Sequence, residues 1–241
     1  MASLGGPHIV TDGLVLSLDA ANIKSYTSGS TIWFDKSGFG NNGTLTNGPT
    51  FNSGNGGSIA FDGVNDFCQA NISTTSLDGD PSFTVDMYVK RRIGTNVGSN
   101  GGFWGIGGTG QGNAISGWTP TANLIHLDVY DSTRLTTSQS YPEGQFIHIV
   151  WTKNGSGTET TNVKCYINGN EISLTKTRNA TRANRFNTST NGAGICLGRI
   201  VGNESNYHAP IDISSFRVYT RALTAQEILQ NYNATKGRFN L

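Results

Sequence analysis

Apolar and polar positions alternate with a period of two through most of this chain. Leu14, Leu16 and Leu18 alternate with Val15, Ser17 and Asp19. Phe83, Val85, Met87 and Val89 alternate with Thr84, Asp86, Tyr88 and Lys90, and Ile125, Leu127 and Val129 with His126 and Asp128. A two-residue period sends alternate side chains to opposite faces of a sheet, so each run predicts a strand with one face in a core. Residues 146–151 are apolar on nearly both sides, which suits a strand buried within a two-layer sandwich. Val163–Ile167 and residues 171–174 flank Asn168, Gly169 and Asn170, whose tolerance of positive φ predicts a hairpin turn. Clusters of Gly, Asn and Ser at 38–43, 52–57, 94–102 and 154–157 predict further loops. One helix is expected near the C-terminal end. Thr224 precedes Glu227 at capping-box spacing, Leu223 and Ile228 hold the staple positions, and Ile228, Leu229 and Tyr232 form a short apolar stripe.

Composition agrees with a strand-rich core. Of 241 residues, 35% are hydrophobic and only 14% charged, too few charges for a solvated disordered chain. The 32 glycines fit many turns between short strands. No compositional shift divides residues 13–241, which read as one domain. Residues 1–12 read as an N-terminal arm that either docks on a neighbour or frays. A net charge of +1 provides no field toward DNA or acidic membranes. Cys68, Cys165 and Cys196 are widely spaced and lack a CxxC pair, so buried free thiols are expected rather than a disulfide framework or zinc site. The opening eight residues lack the basic end and apolar run of a signal peptide, and no apolar stretch is long enough to span a bilayer. The expectation is a soluble protein, folded in a reducing cytoplasm and not inserted in a membrane.

Six pieces then occur in a familiar order. They are Gly13-Leu14-Val15-Leu16-Ser17-Leu18-Asp19-Ala20; Trp33-Phe34-Asp35-Lys36-Ser37-Gly38 with Gly40-Asn41-Asn42-Gly43; Ile59-Ala60-Phe61-Asp62-Gly63; Phe83-Thr84-Val85-Asp86-Met87; His148-Ile149-Val150-Trp151 with Tyr166-Ile167-Asn168-Gly169; and Ile211 through Ile228. Together they resemble the LamG-like branch of the concanavalin A-like lectin/glucanase superfamily over nearly the whole chain. The resemblance implies an all-β jelly-roll sandwich of two antiparallel sheets, here with one short C-terminal helix. Such domains bind glycans or proteins, often with a structural calcium. The stretches 6–14 and 233–239 resemble a subgroup common among structural proteins of tailed bacteriophages, especially marine ones (the cyanophage type).

Glycoside hydrolases share this fold, and retaining hydrolysis needs two carboxyl groups about 5–5.5 Å apart. None of the five glutamates (Glu143, Glu159, Glu171, Glu204, Glu227) has another acidic residue within four positions. Asp62 with Asp66, Asp78 with Asp80, and Asp128 with Asp131 read as turn formers, and His126 and His148 as packed or surface histidines. There is no Gly-x-Ser-x-Gly elbow, and the GxGxxG string at 105–110 runs into another loop instead of opening a helix. The chain is therefore expected not to be an enzyme.

Binding chemistry has more candidates. In the sandwich that the resemblance implies, the first and last strands can lie close together, so Asp19, Asn22 and Asp212 could converge on one structural calcium, a cation that prefers several oxygen ligands. Loop-proximal rings at Phe103, Trp104, Trp118, Tyr130, Tyr141 and Tyr207 could stack on sugars, with Trp118, between Gly117 and Pro120, the best placed. Trp33 and Trp151 read as core. Residues 176–185 carry Lys176, Arg178, Arg182 and Arg185 and no acid, a patch suited to phosphate, sulfate or acidic groups of a partner. Nucleic acid is disfavoured, because the aromatic platforms that single strands need are missing nearby. The reading that follows is a virion structural or decoration protein of a bacteriophage, made in the host cytoplasm. It would sit on capsid, tail or fibre among other virion proteins and copies of itself, and touch host glycans. The alternatives are a carbohydrate-binding module not tied to a virion and a glycoside hydrolase.

Overall fold

The computed structural model describes residues 7–70, 72, 77, 81–93, 101–107, 114–119, 124–129, 133–155, 160–179, 194–200 and 207–241. In these, the strands in chain order are β1 (Leu14–Asp19), β2 (Ile32–Trp33), β3 (Gly43–Thr46), β4 (Thr50–Asn52), β5 (Ser58–Asp62), β6 (Phe67–Ala70), β7 (Phe83–Arg91), β8 (Gly101–Gly107) and β9 (Ala114–Thr119). They continue as β10 (His126–Val129), β11 (Thr133–Thr137), β12 (Phe146–Lys153), β13 (Val163–Ile167), β14 (Asn170–Ile172), β15 (Leu174–Asn179), β16 (Gly194–Leu197) and β17 (Pro210–Tyr219), followed by helix α1 (Ala225–Thr235). An eight-stranded sheet runs β14-β13-β12-β7-β17-β5-β4, with β1 also paired to β17. A nine-stranded sheet runs β15-β11-β10-β9-β8-β16-β6-β3-β2. Every pairing between these strands is antiparallel. The expected two-sheet all-β sandwich with one C-terminal helix is what the chain forms.

The two sheets close on one core. Leu16, Leu18, Val85, Met87, Ile149, Trp151, Phe216 and Val218 enter it from the eight-stranded sheet, and Trp33, Trp104, Ile106, Ile115, Leu127 and Leu135 from the nine-stranded one. These are the alternating positions of the sequence, and the opposite residue in each pair points outward. Close packing requires glycine at several positions, Gly117 among them. A Cβ on Gly117 would collide with the Trp104 indole, its inward neighbour across the β8–β9 register. The 168–169 hairpin turn has positive φ at Asn168 and Gly169, 49° and 80°, as a two-residue turn of the right twist requires.

The outer face of the eight-stranded sheet is covered by α1. Leu223 and Ile228 join Val150, Tyr166 and Tyr219 there, and Phe239 stacks on Tyr88 with ring centroids 4.4 Å apart. This second layer is why residues 146–151 are apolar on both sides. The capping box forms as expected: the Thr224 hydroxyl accepts from the Glu227 amide, and the Glu227 carboxylate accepts from the Thr224 amide at 2.8 Å. The apolar stripe is displaced from expectation. Leu229 is exposed, and the buried helix positions are Ile228, Asn231 and Thr235. Polar residues lie on the inner side because the sheet beneath presents a buried charge. Asp86, fully buried, accepts from His148 Nε2 at 3.1 Å, Arg217 Nη1 at 3.1 Å and Asn231 Nδ2 at 2.8 Å.

Residues 8–12 belong to this same assembly. The Val10 amide donates to Asn231 Oδ1 at 2.8 Å, its carbonyl accepts from the Tyr219 hydroxyl at 3.0 Å, and Asp12 pairs with Arg221 at 2.8 Å. The described part of the N-terminal segment therefore docks on its own helix. Among the described residues, no helix is long and apolar enough to cross a membrane.

Candidate functional site

One outer face is closed by α1, and the other carries the outward polar groups of the nine-stranded sheet. Register across the nine-stranded sheet brings positions on consecutive strands into rows. One row runs Thr44, Gln69, Cys196, Gly105, Ser116, Asp128, Arg134 and Arg178 through consecutive strand pairs. A second, parallel row sets Gly102 opposite Trp118, then His126, then Thr136. Eight neighbouring strands thus place a polar band across one face. Its middle is built from the smallest residues: Gly105, Gly107 and Gly194 have no side chain and Ser116 has a short one, and all four are buried.

Toward one edge the band is densely hydrogen-bonded. Arg134 Nη2 meets Asp128 Oδ2 at 2.7 Å. His126 Nδ1 lies 2.7 Å from the Thr136 hydroxyl, which is 2.8 Å from that of Thr177. Burial, and then the Arg134 charge, pushes the His126 pKa down to about 4, so the imidazole is neutral near pH 7. Arg134 is half-buried and Thr177 exposed, so the cluster offers a fixed cation and hydroxyls to the surface over a neutral ring. On the other side of the glycine floor, Cys196 Sγ donates to Gln69 Oε1 at 2.8 Å and the Arg199 guanidinium lies 3.8 Å over the Phe67 ring. Such an arrangement can exchange hydrogen bonds with a hydroxyl-rich ligand.

The expected site residues divide in several ways. The backbones of Trp118 and Arg178 flank this cluster, opposite His126 and Arg134 respectively. Tyr207 is half-buried at the same end, its carbonyl accepting from the Gly102 amide at 3.1 Å. Tyr130, Arg182 and Arg185 lie outside the described residues. Trp104 is fully buried in the core and has no ring face for a ligand, because Gly117 opens the space that the indole fills. Trp33, Trp151 and Phe103 are core as well.

The expected calcium set does not fit a cation. The first and last strands do pair, Asp19 lying opposite Ser215. Yet Arg238 takes both Asp19 oxygens at 3.0 and 3.1 Å, and Lys90 and Arg92 take the two Asp212 oxygens at 2.7 and 3.0 Å. Asn22 Oδ1 accepts from the Lys24 amide. Ligands already neutralised by three cations are a poor match for calcium, and no group of three or more His, Cys, Asp and Glu gathers among the described residues.

Asp128 lies within β10, as its alternation with Leu127 and Val129 predicts; the turn role read for it does not hold, and its pairing with Arg134 on β11 was not foreseen. It is the sole carboxylate among the residues of the nine strands. A usable signal was there: His126-Leu127-Asp128 and Arg134-Leu135-Thr136 are complementary when paired antiparallel.

Comparison with known proteins bears on the fold. Residues 61–229 match the family model described as the concanavalin A-like lectin/glucanases superfamily. No curated protein sequence matches significantly. Among solved structures, Trypanosoma rangeli sialidase in complex with sialic acid is similar with a TM-score of 0.68 and 13% identity, over 98% of this chain and 36% of that one. The botulinum neurotoxin type G receptor binding domain is similar with a TM-score of 0.62 and 16% identity, over 92% of this chain and 51% of that one. The chain therefore spans about a third to a half of these proteins' lengths, and at such identity the likeness is one of fold.

Proposed function

The chain belongs to the concanavalin A-like lectin/glucanase superfamily, and from that premise we propose that it is a non-catalytic adhesion protein that binds glycans on the outer face of its nine-stranded sheet. The observation that carries this reading is the polar band itself, in which Arg134, Thr177 and Gln69 are the members that reach the surface. Binding needs converging donors and acceptors. Hydrolysis needs in addition a second carboxyl group, and on the nine strands Asp128 stands alone, paired to Arg134. The same fold serves in a receptor binding domain of a neurotoxin, which is consistent with an attachment role.

The setting is a virion, with the protein held among other structural proteins and copies of itself on a phage capsid, tail or fibre. This part rests on the resemblance of residues 6–14 and 233–239 to phage structural proteins. Two experiments test the whole. A glycan array with the intact protein should return specific binding that Arg134→Ala weakens, while reducing-sugar release stays at background. Absence of binding, or turnover of a bound glycan, overturns the reading. Electron cryomicroscopy of the host's phage particles should locate ordered copies, and a protein recovered only as a free monomer refutes the virion setting.

A further inference from the structure

A cavity lies away from the polar band, at the lateral edge where the two sheets part. It has a volume of about 380 Å³, within the roughly 300–1,000 Å³ range of small-molecule sites. Edge strand β4 and the loop that leads into edge strand β2 border it, so neither sheet has a further strand there to fill the space. Its floor is aromatic: the Tyr26 and Phe51 rings lie 5.5 Å apart at 34°, and Tyr26 packs edge-on against Trp33 at 6.5 Å. Tyr26 is held from behind by the core and by its hydroxyl, which donates to the Ser30 carbonyl at 3.2 Å. The rim is hydroxylated. Ser28, Thr31 and Thr50 are exposed, and none of their hydroxyls is spent in a hydrogen bond among the described residues. The loop that carries Thr31 is fixed, since its carbonyl accepts from the Leu45 amide at 2.8 Å.

No charged side chain lines the cavity. An apolar ring face beneath and unspent hydroxyls around it suit a molecule with one apolar face and a polar circumference, which is the chemistry of a pyranose. The lack of any cation disfavours a carboxylate, sulfate or phosphate, because a buried anion needs a partner. We infer that this edge cleft is a second saccharide site, specific for neutral sugars, with Phe51 as the stacking ring and Ser28, Thr31 and Thr50 as hydrogen-bonding groups. The inference does not depend on the outer-face reading, since the two sites share no residue.

The test is a two-dimensional amide NMR titration of the intact protein with maltotriose, cellotriose and lactose, and in parallel with sialyllactose. At least one neutral sugar should shift the Gly29, Thr31, Gly48 and Thr50 amides saturably, and sialyllactose should not. Phe51→Ala should weaken binding by roughly threefold to tenfold, the loss of one ring contact. Ser28→Trp, on an exposed loop where folding is not at stake, should block the cleft and abolish the shifts. The inference is overturned if no neutral sugar moves these amides, if sialyllactose moves them equally, or if Ser28→Trp leaves them responsive. Shifts confined to Ser116, His126 and Thr136 would likewise overturn it while supporting the outer-face site.

Discussion

Replacing Asp86 with Asn tests what seals the eight-stranded sheet. The side chain changes by one charge and almost no volume, yet Arg217 is only 2% exposed and would be left as a buried cation without its carboxylate. Three donors, on His148, Arg217 and Asn231, converge on Asp86 within 2.8–3.1 Å, and an amide group would turn a fourth donor toward them. Removing one partner of a buried pair costs about 3–5 kcal/mol. For a chain of this length that corresponds to a fall in Tm of roughly 6–20 °C. Urea unfolding followed by circular dichroism should report the loss, and the double variant Asp86→Leu with Arg217→Met should recover most of it, because an apolar replacement of the whole pair is often neutral. A loss below about 1 kcal/mol for Asp86→Asn would refute the reasoning. The same site sets an acid limit. Burial alone would raise the Asp86 pKa, but His148 and Arg217 outweigh it and hold the carboxyl far below the ordinary carboxylate range. Its stabilisation is therefore complete above about pH 4, the unfolded value, and is lost progressively as the pH falls toward the folded value.

Three further outcomes are expected. Glu227→Ala removes half of the capping box and the partner of Arg221, and should cost about 0.5–2 kcal/mol in urea unfolding; hydrogen bonding to Arg221 holds the Glu227 pKa near about 2, so this contribution too is present above pH 4 and fades below it. Gly117→Ala drives a methyl group into the Trp104 indole and should cost about 1–3 kcal/mol, read as a lowered Tm with the far-ultraviolet spectrum kept. Chelation with EDTA should leave Tm unchanged, because Arg238, Lys90 and Arg92 already neutralise Asp19 and Asp212, and a fall of several degrees reversed by calcium would show that a donor set exists elsewhere.

What could be read along the chain was whatever depends on near neighbours. Leu14 to Asp19 and Phe83 to Lys90 alternate because each strand has one core face, and Thr224 caps its helix through Glu227, three residues away. Contacts that depend on distant partners were not legible. Leu229 looked like part of the buried stripe, but the helix rotates so that Asn231 can reach Asp86, 145 positions away. Trp104 sits among glycines and looked exposed, yet it is core, and the glycine that admits its indole is Gly117 on the neighbouring strand. The polar band is invisible without register, since its members come from eight strands and only the His126–Asp128 and Arg134–Thr136 segments lie near one another in sequence.

The two outer faces differ in kind, and that difference is the ground for placing the proposed glycan site on the nine-stranded sheet. On the eight-stranded sheet the outward charges are satisfied internally: Asp86 by three donors, Asp212 by Lys90 and Arg92, Asp19 by Arg238, with α1 and residues 8–12 laid over the centre. A face closed by the chain itself has no surface left for a broad ligand. On the nine-stranded sheet the outward positions are polar or glycine instead of apolar; Ser116, His126, Asp128 and Thr136 are buried, and Arg134 and Thr177 reach the surface. Mere solvation of such a face asks for no neutral histidine joined to a chain of hydroxyls. That chain fixes donors in place before any ligand arrives, which reduces the ordering cost of binding. Thr177→Ala, at the exposed end of that hydroxyl chain, should weaken glycan binding without lowering Tm. Equal loss of both would mean that the chain of hydroxyls serves the fold alone.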